Sequence, residues 1–284
     1  MFSFGFNVKP RVVAAGGGGY DADAEAFFTA ASITDTTQKN AVNQLVLDLK
    51  SYNIWTKMKA LYPIVGGSAS SHAVNLKTPG TYNLSFSTGW THASTGMTPN
   101  GTSAYANTNF IANGNLTLYN SHQSYYSRTS GNPASNQSFM GNTSNTSTTN
   151  NKAVWFITYT STGSIVAIQH SSATASDYAT GTGLSSRAAF WMNNRTSSTS
   201  TTLKAWKNGV ALANATTTPG GESLNTSTTY LGARRNTTIA NPQAEFYTNA
   251  ECAFASIGNG LTDTEAANFY TAVQAYQTTL SRQV

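Results

Sequence analysis

Apolar residues recur at two periods along this chain, and the change of period divides it. Val42, Leu45, Val46 and Leu49 stand at i, i+3, i+4 and i+7, the stripe of an amphipathic helix. Asp35 precedes them with Gln38 three residues on, which predicts an N-cap with a capping box. Asp21, Asp23 and Glu25 place negative charge at the start of a shorter helix through Phe27 and Phe28. A third helical turn is expected over 54–61, presenting Trp55, Met58 and Leu61 before Pro63 stops it. From about Ile64 the period falls to two. Runs at 73–76, 82–86, 116–118, 124–127, 154–160, 165–168, 187–192, 203–206, 229–233 and 252–257 predict strands. Gly, Asn, Ser and Thr clusters separate them at short intervals, as in a sandwich or barrel. Asn208 and Gly209 signal a tight hairpin between 203–206 and 210–212, and the Asn-, Ser- and Thr-rich stretch 141–151 reads as an exposed loop. Helix returns at the end. Thr262 and Glu265 form a second capping-box pair, and Phe269, Val273, Tyr276 and Leu280 share one face.

The pattern predicts a mainly β fold: an antiparallel β-sandwich with N-terminal helices and a C-terminal helix packed on it. Its expected divisions are an N-terminal segment over 1–20, a helical segment over 21–63 and the sandwich with its closing helix over 64–284. Phe2, Phe4 and Phe6 fall on one face of the first segment, and Gly16–Gly19 can serve as a joint. Two readings of that end stand side by side: an attachment tether, or a strand or frayed end belonging to the main domain.

Composition narrows the class. Charged residues are 10% of the chain, far below the average soluble domain, while Thr, Ser and Asn supply more than a third. The surface is therefore wetted by hydroxyls and amides rather than ions. The net charge is +5, yet the basic residues are scattered without a run or stripe, so no nucleic-acid partner is expected. Cys252 is the only cysteine, which excludes an intrachain disulfide; its apolar neighbours Ala253 and Phe254 predict a buried, inert thiol. The N-terminus carries no signal-peptide pattern and no stretch has transmembrane length, so no membrane partner is expected.

Candidate chemistry is sparse. There are eleven carboxylates, none between Asp48 and Asp177; the sandwich itself holds Asp177, Glu222, Glu245 and Glu251. A glycosidase needs two carboxylates facing each other across a sugar. Glu245 and Glu251 on one strand would stand roughly 20 Å apart. His72, His92, His122 and His170 have no second His or carboxylate at ligand spacing, no loop carries a calcium-binding set, and no Gly-x-Ser-x-Gly elbow is present. No catalytic residue, metal or cofactor is expected. Exposed aromatics remain as candidates for stacking on a sugar: Trp90, Tyr125, Tyr126 and Trp191. In a strand, Tyr125 and Tyr126 point to opposite faces, so one is expected in the core and one outside; Phe190 and Trp191 behave alike.

Two groups of residues resemble known families. Leu203, Trp206, Asn208, Gly209 and Val210, followed by Tyr230, Leu231 and Gly232, resemble the hairpin core of concanavalin and laminin-G-like jelly rolls. Phe254 through Glu265, with the helix from Phe269 to Tyr276, is similar to the closing strand and helix of that fold. Segments at 30–35, 55–63, 89–92, 99–101 and 124–128 also resemble virion structural proteins of tailed phages of Bacteroidetes, including the crAss-like group. That resemblance implies a non-enzymatic fibre or decoration subunit located in the virion. It would be held to other virion proteins through Phe2, Phe4 and Phe6 and would be homo-oligomeric, a trimer by analogy, with a host surface glycan as a further partner. The alternative is a carbohydrate-binding, lectin-like module.

Overall fold

The structure is a computed structural model that describes residues 19–145, 152–171, 178–215, 224–237 and 243–284. The chain begins with α1 (Ala22–Ala31) and α2 (Thr36–Ser51), then β1 (Met58–Tyr62) and a single helical turn α3 (Ala69–His72). Short strands follow: β2 (Ser85–Phe86), β3 (Trp90–Ala93), β4 (Gly96–Pro99) and β5 (Ala106–Ile111). Longer ones come next: β6 (Ser121–Ser127), β7 (Gln137–Asn145), β8 (Lys152–Tyr159), β9 (Ile165–Ser171), β10 (Ala179–Gly181) and β11 (Ala189–Arg195). The remainder is β12 (Lys204–Lys207), β13 (Val210–Asn214), β14 (Thr228–Leu231), β15 (Arg234–Asn236), β16 (Gln243–Glu245), β17 (Cys252–Gly258) and α4 (Asp263–Thr279).

The strands form two sheets. One runs β13-β12-β11-β6-β17-β4-β3, with β1 added beside β17; the other runs β10-β9-β8-β7-β14-β5-β2, with β15 attached to β7 and β16 to β15. Among the described residues pairing is antiparallel except where β15 lies parallel to β7. This is the antiparallel β-sandwich expected from the alternation, with the concanavalin/laminin-G-like layout that the resemblance implied, and ring packing fills the space between its sheets. Tyr125 stacks on Phe139 at 4.8 Å, and Trp191 meets Tyr159 edge-on at 5.5 Å.

The centre of the first sheet is buried on both faces. Its other side carries Tyr126, Phe190, Met192, Trp206 and Phe254, which pack against Phe27, Val42, Leu45, Val46 and Leu49 of α1 and α2 and Phe269, Val273 and Tyr276 of α4. Every residue of β6, β11 and β17 is buried as a result. The layers are thus helices, first sheet, second sheet, and the first sheet reaches solvent at its edge strands β13 and β3.

Local signals mostly hold. Asp35 accepts the Gln38 N–H at 2.8 Å, but the Gln38 side chain reaches the Gly66 N–H at 2.9 Å instead of completing a capping box. Thr262 and Glu265 do form the reciprocal box on α4. Asn208 and Gly209 take φ of 49° and 75° in the β12–β13 hairpin, as a turn of that type requires. Cys252 is buried, and burial pushes its thiol up to about 12.

Several expectations give way to long-range pairing. The turn over 54–61 is helical only at Trp55–Lys57; from Met58 the chain is β1, because β17 offers an edge for it to pair with. Residues 73–76 and 116–118 are turns rather than strands, and 82–86 is a strand only at its last two residues. Gly141–Asn145, expected as loop, is the end of β7, drawn into the sheet by β8 and β15. Phe2, Phe4, Phe6, Gly16–Gly18, residues 146–151, Asp177 and Glu222 lie outside the described residues.

Candidate functional site

The aromatics singled out in the sequence are placed away from solvent. Tyr125, Tyr126 and Trp191 are each 0% exposed, so none offers a ring face to a ligand. Their polar ends are used internally: Tyr125 Oη donates to the Ala250 carbonyl at 2.8 Å, Tyr126 Oη to Gln274 at 3.0 Å, and Trp191 Nε1 to the Arg187 carbonyl at 2.8 Å. The expectation that one of Tyr125 and Tyr126 faces outward fails because helices cover the second face of their sheet. Trp90 is half-buried, packed against Phe86 at 5.5 Å and over Gly232.

The structure joins polar residues that are distant in sequence, but it joins them inside. Ser124, Ser256 and His122 form a hydroxyl–imidazole chain at 2.6 and 3.1 Å. His122 Nδ1 lies 2.6 Å from the Asn259 carbonyl, which can only accept, so Nδ1 carries the proton and Nε2 accepts from Ser256. All three side chains are fully buried and the chain ends on a carbonyl, not a carboxylate. It is a structural network. Burial pushes His122 down to about 4, against the pull of the Asn259 hydrogen bond. His72 and His92 face each other with Nδ1 atoms 2.9 Å apart, and burial together with His92 and Arg282 lowers His72 to about 3. Among the described residues no three His, Cys, Asp or Glu side chains converge on a metal position. No helix among them is long and apolar enough to cross a membrane.

Most described carboxylates have a structural partner. Lys50 holds Asp21 and Asp23 at 2.7 and 2.6 Å, Lys57 holds Glu265 at 2.6 Å, and Lys204 holds Asp263 at 2.6 Å. Glu251 is paired with Arg128 at 2.9 Å and Glu245 with Arg234 at 2.5 Å.

Among the described residues a solvent-facing concavity lies on the second sheet and the loops at its end. A trough of about 660 Å³ is lined by Gly101, Thr102, Ser135, Asn136, Ser161, Phe246 and Tyr247. It shares Asn136 and Phe246 with a narrower cavity of about 160 Å³, whose walls add Thr158, Thr160, Val166, Tyr178 and Arg234. Local bonds fix these walls. Asn100 Oδ1 accepts the N–H groups of Thr102, Ser103 and Ala104, each at 3.0 Å. The Ser161 N–H donates to Asn136 Oδ1 at 3.1 Å, which ties the β8–β9 turn to the loop before β7. Thr160 Oγ1 accepts the Ser164 N–H at 3.0 Å within that turn.

Phe246 stands at the junction of the two cavities and is 38% exposed. Its φ of 53° is a left-handed conformation that a bulky residue adopts only under constraint. The constraint is visible: the Ser138 N–H of β7 holds the Phe246 carbonyl at 2.7 Å, and the Arg234 guanidinium lies 4.5 Å over its ring. Tyr247 follows on the rim, its phenol pushed up by partial burial and by the neighbouring Tyr105. Tyr105 stacks on Tyr230 at 4.4 Å. Thr158 Oγ1 is buried and without a hydrogen-bond partner in the narrower cavity. Sequence reasoning missed Phe246, Asn136 and Thr158. The one available signal was an aromatic pair, Phe246 and Tyr247, just beyond a short polar strand, and alternation alone cannot say that such a pair is exposed.

No family model matches the sequence, and no curated protein is significantly similar to it. Similarity to solved structures is found at the level of fold. The chain is similar to a Trypanosoma rangeli sialidase in complex with sialic acid, with TM-score 0.51 and 10% identity over 81% of this chain and 38% of that one. The ligand binding domain of botulinum neurotoxin serotype D, in complex with N-acetylneuraminic acid, gives TM-score 0.48 and 13% identity over 79% and 52%. The CBM40 of a Ruminococcus gnavus IT-sialidase, bound to α2,3 sialyllactose, gives 0.38 and 12% over 53% and 82%. The chain therefore spans little more than a third of the sialidase and about half of the toxin domain. The likeness to the sialidase is one of fold: a β-sandwich.

Proposed function

We propose that this chain is a non-enzymatic, glycan-binding β-sandwich whose sugar site is the trough at Phe246. The observation that carries the proposal is an exposed aromatic ring, held in a strained backbone conformation above a 660 Å³ concavity walled by amides and hydroxyls. Sugar rings present an apolar face that stacks on an aromatic and an equatorial belt of hydroxyls that both donate and accept. Phe246 and Tyr247 supply the first complement; Asn136, Ser135, Thr102 and Ser161 supply the second. Pre-set loops reduce the ordering cost of binding. A hydrolytic role would call for two carboxylates about 5–10 Å apart across the sugar. The residues lining the trough include none, and the nearby Glu245 is bound to Arg234.

The test is a glycan array with the full chain, followed by titration calorimetry on the best ligand with wild type and Phe246→Ala. Losing a central aromatic anchor should cost about 1–2 kcal/mol, or roughly 5–30-fold in Kd. Unchanged affinity in the variant would remove the trough from consideration.

The setting we propose for this module is a phage particle. The charge-poor, Ser-, Thr- and Asn-rich composition and the segments resembling phage virion proteins support it. In that setting Phe2, Phe4 and Phe6 attach the subunit to other virion proteins, and the second sheet faces outward. Mass spectrometry of purified particles tests this; absence of the chain from intact virions refutes it.

A further inference from the structure

We propose that the trough selects neutral sugars: its ligand class is an uncharged, hydroxyl-rich glycan, not an acidic one. The inference rests on the glycan-binding reading above and concerns the charge of the ligand. Recognising a carboxylate in a sugar site calls for a free cation, most effectively an arginine fork whose N–H groups point at the ligand. Arg234 is the one cation among the lining residues, and its fork is occupied. Its Nε donates to Glu245 Oε1 at 2.7 Å, Nη2 lies 2.5 Å from the same oxygen, and its plane is stacked on Phe246 at 4.5 Å.

An acidic sugar would have to displace Glu245 from that fork and then sit beside the freed carboxylate. Both steps oppose binding. The guanidiniums on neighbouring elements are also engaged. Arg235 lies over Tyr230 and donates to the Thr228 hydroxyl from Nη1, its unpartnered Nε being buried away from solvent; Arg128 pairs with Glu251, and buried Arg187 donates to Gln137 and Asn249. What remains facing the trough are neutral groups of mixed donor and acceptor character. In the adjoining narrower cavity Thr158 Oγ1 is a buried hydroxyl without a partner, suited to a ligand hydroxyl that can donate or accept. The Arg234–Glu245 pair thus acts as a charge-neutral wall that fixes Phe246 for stacking.

The experiment compares matched oligosaccharides on the full chain: neutral β-linked glucose, N-acetylglucosamine and galactose oligomers, and the same cores capped with sialic or glucuronic acid. Calorimetry is run at low and high sodium chloride. The expected result is binding of a neutral member, with Kd changing less than about twofold with salt because no charge pair forms with the ligand. The capped counterpart should bind at least about tenfold more weakly, as for a charge placed beside an unpaired carboxylate. Glu245→Gln provides an independent arm. Releasing the Arg234 fork should bring the capped sugar to within about twofold of the neutral one, and circular dichroism checks that the variant is folded. Preference of the wild type for the capped sugar, with affinity falling steeply as salt rises, overturns the neutral assignment while leaving glycan binding in place. No binding of any oligosaccharide, neutral or acidic, overturns the glycan-binding reading itself.

Discussion

Lowering the pH from 7 to 5 should destabilise this fold strongly, and two buried imidazoles set the magnitude. His122 is fully enclosed, donating from Nδ1 to Asn259 and accepting at Nε2 from Ser256; burial holds it at about 4. His72 is 1% exposed, faces His92 and the Arg282 guanidinium, and is held at about 3. In the unfolded chain both titrate near the ordinary value of about 6.5. A histidine whose folded value is depressed stabilises the fold fully above the unfolded value. That contribution is lost as pH falls below it, because the unfolded state takes up protons that the folded state refuses. Between pH 7 and 5 each group removes about 2 kcal/mol, so the pair removes about 4 kcal/mol. For a chain of this size that corresponds to a Tm lower by about 7 °C.

Carboxylates act lower on the scale. Burial tends to raise Glu265, but its hydrogen bond from Lys57 and those from Thr262 outweigh this and lower it. Its stabilising contribution is therefore lost only as pH falls below the ordinary carboxylate range. The assay is urea unfolding, followed by tryptophan fluorescence, at several pH values between 5 and 7 for wild type and His122→Gln. The variant starts from a different baseline, so the informative quantity is the slope. It should fall to roughly half the wild-type slope. A wild-type stability flat between pH 7 and 5, or a slope unaltered in the variant, would refute the reasoning.

Other substitutions test the packing. Arg282 is 2% exposed and donates to the carbonyls of Pro63, Ile64, Ser94 and Ala253 and to Gln277, tying the end of α4 to β17, the segment after β1 and the β3–β4 turn; Arg282→Ala should cost about 3–5 kcal/mol in urea unfolding. Thr262→Ala removes the N-cap of α4 and half of its capping box, an expected loss of about 1 kcal/mol by the same assay. Trp191→Phe should cost about 1–3 kcal/mol through its lost hydrogen bond and volume yet leave glycan affinity unchanged, since the ring lies between the sheets; a changed affinity in calorimetry would put Trp191 back among the site candidates.

Much of this architecture was determined by the sequence alone. The stripe Val42, Leu45, Val46 and Leu49, the capping pair at Thr262 and Glu265 and the turn at Asn208 and Gly209 are local signals, and local hydrogen bonds and side-chain spacing suffice to realise them. Alternation likewise put Tyr125 and Tyr126 on opposite faces of one strand, as the structure has them. What alternation cannot state is whether a face is covered. Tyr126 is buried because α1, α2 and α4, from the two ends of the chain, close over the outer side of its sheet. Strand β1 exists because β17, some two hundred residues later, offers it an edge, and the end of β7 is ordered as a strand by β8 and β15. The trough is the same kind of product. Gly101, Asn136, Ser161 and Phe246 come from four loops that no local pattern relates, and Phe246 is fixed at their junction by the hydrogen bond from Ser138 of β7 to its carbonyl. Period and caps act over a few residues and are written in the sequence; the covering of faces and the convergence of loops depend on contacts between distant segments, which only the tertiary structure decides.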